Sequence, residues 1–268
     1  MDYLFVGAAS SRDPFGIEKS RLESRPRIGN TSFLAGGGLG VKSIDVTIPV
    51  SVDESVSGVL EVPQGLEAGR TAAVIVAHGA GNDMHNPLLV HFCAGLSLAG
   101  YLSLRFNFPY KEKGQKAPDP QQKLIRTWQA AFEFVRSHPE FGTPRIVAAG
   151  KSMGGRIASQ MMADGLIPAK ALVFLGYPLH PPGKKDQLRD AHLYRISVPM
   201  LFFAGTRDAL CDINLIQNVL NRLHAAWELE TIEGGDHSFA LPKSFKASEE
   251  EVYERILQRT VSWLNQTV

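Results

Sequence analysis

Arg145-Ile146-Val147-Ala148-Ala149-Gly150-Lys151-Ser152-Met153-Gly154-Gly155-Arg156-Ile157-Ala158-Ser159 is the stretch whose reading decides the fold. Residues 145–149, apolar from Ile146 onwards, read as a buried strand, and 155–162 read as a helix. Between them stands Gly-x-Ser-x-Gly. A strand, a sharp turn with serine at its apex and then a helix make a nucleophile elbow. Glycines two positions either side of Ser152 remove the side chains that so tight a turn would force together. The serine hydroxyl is left at the positive end of a helix, above the carboxyl edge of a sheet. A phosphate-loop reading of Gly150-Lys151-Ser152 fails, because that motif needs glycine where Arg145 stands.

Outward from the elbow, the chain alternates strands and helices. Ala72–Ala77, Tyr101–Phe106, Ile146–Ala149, Ala171–Leu175 and Met200–Ala204 are unbroken apolar runs. Such runs belong to strands buried on both faces, as in a parallel sheet covered by helices. Trp227–Ile232 is a more amphipathic last strand. Val41–Val50 and Val56–Val62 alternate around a polar turn and predict an antiparallel hairpin. Asn86-Pro87, Asp119-Pro120 and Ser248-Glu249-Glu250-Glu251 read as capped helix starts. The fold class expected is α/β: a mostly parallel, twisted sheet of about eight strands with an N-terminal antiparallel hairpin and helices on both faces. Residues 1–40, polar and rich in Ser and Gly, read as a poorly ordered extension, and 41–268 as one domain.

Composition narrows the function classes. The 268 residues carry a net charge of +1, which makes no electrostatic case for nucleic acid or an anionic membrane. Lys111, Lys113 and Lys116, like Lys184 and Lys185, read as solvated loop charges. No apolar run is long enough to span a bilayer, and Met1–Val6 lacks the features of a secretory signal. Two cysteines, Cys93 and Cys211, make no disulfide framework, so a reducing cytoplasm is the expected compartment. His78, Asp83 and His85 match no metal-ligand spacing. No cofactor or metal is expected.

A serine nucleophile needs a base and an acid to orient that base. In the chain order nucleophile, acid, base, two later loops supply them. Met200–Ala204 runs into Gly205-Thr206-Arg207-Asp208, and Trp227–Ile232 runs into Glu233-Gly234-Gly235-Asp236-His237. Ser152, Asp208 and His237 are therefore the expected catalytic residues. Asp212 and Asp236 compete for the acid's role; Asp212 reads as a helix cap, and Asp236 is adjacent to the histidine. The backbone N–H of Met153 and that of Ala80, with Gly81 as the alternative, are the expected oxyanion donors. They come from the elbow and from His78-Gly79-Ala80-Gly81-Asn82.

These segments together resemble a branch of the α/β-hydrolase superfamily. It holds bacterial hydrolases, testis-expressed protein 30 and the hydrolase-like subunit 3 of the NSL histone-acetyltransferase complex. The resemblance rests on Ala77–Gly81, Leu104–Tyr110, Gly150–Arg156, Leu175–Lys184, Leu188–Leu193, Gly205–Asp208 and Gly235–Ser238, and spans about 70–265. Tyr177-Pro178-Leu179-His180-Pro181-Pro182 is its most specific part. The branch is distantly similar to dienelactone hydrolases, although Ser152 stands where those enzymes carry a nucleophilic cysteine. The resemblance implies an α/β-hydrolase fold and hydrolysis of a small-molecule acyl substrate, an ester or a related bond. It also implies protein partners, since some relatives are subunits of larger assemblies; a non-catalytic interaction module and an acyltransferase or peptidase stay open as alternatives. Only about 24 residues separate the strands ending at Leu175 and starting at Met200, so a short cap and a partly open pocket are expected. His78, Gly81, Tyr110, Tyr177 and His180 are the residues expected to line it.

Overall fold

The computed structural model describes residues 28–33 and 42–268. Nine strands among them are β1 (Ile28–Phe33), β2 (Lys42–Pro49), β3 (Ser55–Val62), β4 (Ala73–Ala77), β5 (Leu102–Phe106), β6 (Ile146–Lys151), β7 (Ala171–Leu175), β8 (Met200–Gly205) and β9 (Trp227–Ile232). The helices are α1 (Pro87–Leu98), α2 (Pro109–Glu112), α3 (Gln121–Ser137), α4 (Met153–Ala163), α5 (Ile213–Leu220) and α6 (Glu249–Thr267). One sheet holds every strand in the order β1-β2-β3-β5-β4-β6-β7-β8-β9. Strands β1, β2, β3 and β5 pair antiparallel in turn, and β4 to β9 are parallel. This is the expected α/β-hydrolase architecture with one strand more.

The extra strand lies within the N-terminal arm. Residues 28–33 pair with β2, with a register shift between Ile28 and Thr31. An edge strand is held by backbone hydrogen bonds, so its sequence need not alternate. The rest of the 1–40 arm lies outside the described residues.

The continuous apolar runs are explained by burial on both faces. Ala73, Ile75 and Ala77 of β4 pack with residues of α3 and α4 on one side. Val74 and Val76 pack with α1 and α6 on the other. A charged pair interrupts this core: Arg105 Nη1 donates to Glu61 Oε1 at 2.5 Å, and Ser43 Oγ donates to the same carboxylate.

Helix starts follow the sequence unevenly. Ser248 and Glu251 form a reciprocal capping box on α6. Pro87 takes the first position of α1, but the Asn86 side chain makes no cap. At α3 the cap position belongs to Pro120, and Asp119 accepts the N–H of Tyr110 at 2.7 Å instead. A residue before proline is held extended, which puts Asp119 outside the helix and turns its carboxylate towards α2.

The strand order fixes where a site can form. From β4 the chain goes to β5 on one side, then crosses to β6 on the other. The loops leaving the carboxyl ends of β4 and β6 therefore diverge and leave a crevice between them. The β4 loop begins at His78, and the β6 loop is the elbow.

Candidate active site

Ser152 sits between β6 and α4 with φ 49° and ψ −114°, one of two non-glycine residues among those described with positive φ. Such a conformation costs about 1–3 kcal/mol and persists only where the surroundings impose it. Here Ser152 N donates to Leu175 O at 3.2 Å, and Arg156 N donates to Ser152 O at 3.0 Å. A Cβ on Gly150 would strike the backbone of Gly155, and one on Gly154 would strike the carbonyls of Ala77 and His78. Trp128 Nε1 of α3 donates to Gly154 O at 3.2 Å, which holds the elbow helix down. Gly154→Ala is expected to lower unfolding free energy by about 3 kcal/mol, because the obstruction is backbone and cannot swing aside. Urea denaturation checks this; a change below about 0.5 kcal/mol would mean the two segments separate freely.

Two loops bring an acid and a base to that serine. Arg207 N donates to Gly235 O at 2.8 Å, and Gly234 N donates to Thr206 Oγ1 at 2.8 Å, so the β8 and β9 loops are stitched together. Across this seam His237 Nδ1 lies 2.8 Å from Asp208 Oδ2, and His237 Nε2 lies 2.8 Å from Ser152 Oγ. The Asp208 side chain is fully buried and its Oδ1 accepts the Leu210 N–H at 2.7 Å. Both competing acids are engaged elsewhere. Asp212 caps α5 and pairs with Lys185 at 2.5 Å, and Asp236 Oδ1 accepts the N–H groups of Ser238 and Ala240.

Lys151, the variable residue of the elbow just before the serine, carries no role in the Gly-x-Ser-x-Gly pattern itself. It is only 7% exposed, and its Nζ donates to the backbone oxygen of His237 at 2.6 Å. The same ammonium stands 5.6 Å from the centroid of Phe239, whose positive φ closes the histidine loop. Lys151 thus clamps the loop that carries His237. Burial pushes its pKa down from 10.5 to about 8, against the opposing pull of Asp208 and Asp236. Between those pH values the unfolded chain holds more protons than the folded one, so stability rises with pH. The penalty is full below about pH 8 and vanishes towards pH 10.5, a change of ~3 kcal/mol. Lys151→Met should therefore exceed wild type in relative stability most below pH 8 and lose that advantage above it. It should also lower kcat about tenfold or more with KM little changed, since a displaced base slows chemistry. A stability difference that stays flat from pH 7 to 10 would refute the burial argument.

A cleft of about 480 Å³ opens beside Ser152 and is bounded by Ala80, Met153, Leu124, Arg156, Arg189 and Leu210. Ala80 and Met153 both face it. Met153 is the first residue of α4, where a backbone N–H has no partner within the helix. The other expected lining residues are corrected. His78 is fully buried; its Nε2 accepts the Phe108 N–H at 3.1 Å, and its Nδ1 lies 2.8 Å from Gly79 O. Burial pushes its pKa down to about 4. Tyr110 is buried against the same loop, with its hydroxyl 3.4 Å from Gly79 O. Tyr177 donates to Arg189 O at 2.6 Å from beneath the cap, and His180 Nε2 accepts the Asp212 N–H at 3.1 Å. Gly81, at φ 77°, is exposed and does not bound the cleft. These side chains brace the loops because their polar ends are taken up by loop backbone. Arg156 and Arg189 stand in their place.

Several solved structures share this fold. Dienelactone hydrolase from Anabaena variabilis superposes with a TM-score of 0.65 at 20% identity, over 85% of this chain and 99% of that one. Est1E from Butyrivibrio proteoclasticus with bound ferulic acid gives 0.66 at 16% identity, over 82% and 99%. A serine hydrolase without lid from Xanthomonas campestris gives 0.62 at 18% identity, over 82% and 94%. At these identities the likeness is one of fold. The sequence match goes further: residues 70–265 fit the family model of an alpha/beta hydrolase domain, and the chain belongs to the alpha/beta hydrolase family.

Proposed function

We propose that the protein is a serine hydrolase that cleaves a carboxylic ester, or a related acyl bond, of a small molecule. One observation carries the reading: an unbroken hydrogen-bonded series from Ser152 Oγ through both ring nitrogens of His237 to buried Asp208, at the floor of an open cleft. Ser152 Oγ attacks the carbonyl carbon while its proton passes to His237 Nε2. Asp208 holds the Nδ1 proton and stabilises the imidazolium. The N–H groups of Met153 and Ala80 donate to the oxyanion of the tetrahedral intermediate. That intermediate collapses, the carbon–oxygen bond to the leaving group breaks, and the alcohol departs with the proton from Nε2. Water then repeats the sequence on the acyl-enzyme, giving its proton to Nε2 and releasing the acid and free serine. Cys93 and Cys211 are both buried free thiols, which fits a cytoplasmic protein.

The test is labelling with a fluorophosphonate probe, together with turnover of nitrophenyl esters of increasing chain length, in wild type and Ser152→Ala. Wild type should label and turn over; the variant should do neither. Labelling that survives the substitution would place the nucleophile elsewhere. A folded wild type that neither labels nor turns over would favour a docking role for the domain.

A further inference from the structure

Arg156 and Arg189 bound the cleft beside Ser152, and the arrangement is costly. Arg156 is in the second turn of α4, four residues after Ser152, where the helix presents its positive end. A carboxylate would be favoured there, and a cation is disfavoured. Burial and the charge of Arg189 both push the Arg156 pKa down. Among the described residues neither guanidinium is paired with a carboxylate. Arg156 Nη1 reaches Gln160 Oε1 at 3.4 Å, and Arg189 Nη1 reaches Pro178 O at 3.3 Å, both long contacts. The acidic residue that also bounds the cleft, Asp119, is already engaged. Its Oδ2 accepts the Tyr110 N–H at 2.7 Å, and its Oδ1 lies 3.5 Å from Lys123 Nζ. Two cations held together near a helix start, with no anion from the described residues, lack a counter-charge there.

From this we infer that the substrate supplies it: the acyl group carries a carboxylate that Arg156 and Arg189 grip while Ser152 attacks its ester carbonyl. The inference rests on the serine hydrolase reading and narrows its substrate class. Guanidinium forks match a carboxylate with paired hydrogen bonds. Four residue steps lead from Ser152 to Arg156, about 6 Å along the helix axis. That span suits a short half-ester of a dicarboxylic acid, of succinyl to adipyl length. The apolar part of the cleft, with Pro178, Pro182 and Leu210, is left for the alcohol.

The test compares ethyl hydrogen glutarate with ethyl valerate, esters of equal acyl length that differ by the terminal charge, by chromatography of the released acid. Wild type should favour the charged ester by about tenfold or more in kcat/KM, the scale of a charge-assisted hydrogen bond. Arg156→Gln and Arg189→Gln should each reduce that ratio about tenfold, chiefly through KM. Arg156→Lys, which keeps the charge without the fork, should retain part of it. Arg189 also supports the Pro178 loop, so if its variant melts early, Arg156→Gln decides. A wild-type ratio at or below one overturns the inference while leaving the hydrolase reading intact. Should no ester be turned over, the hydrolase reading fails, and calorimetry with glutarate decides the anion site separately. Glutarate binding weakened about tenfold by Arg156→Gln upholds it; absence of binding to wild type overturns it.

Discussion

Replacing Ser152 by alanine is expected to lower kcat on any ester the protein hydrolyses by about 10⁶-fold, leaving only what oriented binding and oxyanion donors provide. The size follows from what is removed. Without Oγ there is no acyl-enzyme, and His237 Nε2 loses the group 2.8 Å away from which it takes a proton. A factor of 10⁶ is roughly 8 kcal/mol of barrier, more than any other single substitution here should cost. Stability should move little. The hydroxyl makes one described hydrogen bond, to His237, and the positive-φ turn is imposed by Gly150, Gly154 and the Leu175 carbonyl whatever the side chain. Pre-steady-state turnover of a nitrophenyl ester checks the chemistry, and a thermal melt checks the fold. A loss of less than about 10³ in a folded variant would mean that water, activated directly by His237, carries most of the reaction.

What the sequence made legible was local. Each strand from β2 onwards announces itself as an alternating or continuous apolar run, and the elbow and the loops at Asp208 and His237 each lie within a few residues of a strand end. A parallel sheet gathers its carboxyl-terminal loops on one edge, so loop identity is enough to nominate the three side chains. What was not legible depended on long-range contacts. β1 joins the sheet through backbone pairing with β2, which leaves no required pattern at 28–33. Tyr110, Tyr177 and His180 read as rim residues, yet their polar ends meet loop backbone far away in the chain. Two further signals stand in the sequence itself. Lys151 is a charge at the end of an otherwise apolar strand, a position that demands a buried partner. Arg156 is a cation near a helix start, against the dipole. Local rules broken in this way mark functional positions.

Asp208→Asn should lower kcat by about 10⁴-fold with a small change in melting temperature, and the reason is the direction of one proton. Oδ1 of Asp208 accepts the Leu210 N–H at 2.7 Å, while Oδ2 meets His237 Nδ1 at 2.8 Å. In the variant the amide oxygen keeps the Leu210 contact, because the amide nitrogen cannot accept that N–H. The NH₂ group is then turned towards Nδ1 and donates to it. Nδ1 becomes the acceptor, so the ring's own proton moves to Nε2, where it points at Ser152 Oγ. A protonated Nε2 cannot take the serine's proton, and the nucleophile stays neutral. Packing, volume and the number of hydrogen bonds are conserved, so the fold survives while the base is silenced. Asp208→Ala should behave differently. It leaves the Leu210 N–H without its buried acceptor and the imidazole unheld, so activity and about 1–3 kcal/mol of stability fall together. Comparing melting curves and kcat for the two variants separates tautomer control from a merely structural carboxylate. If Asn and Ala lose equal stability, the carboxylate's main work is in the loop. If Asn retains more than about a tenth of wild-type kcat, His237 is oriented by something other than Asp208.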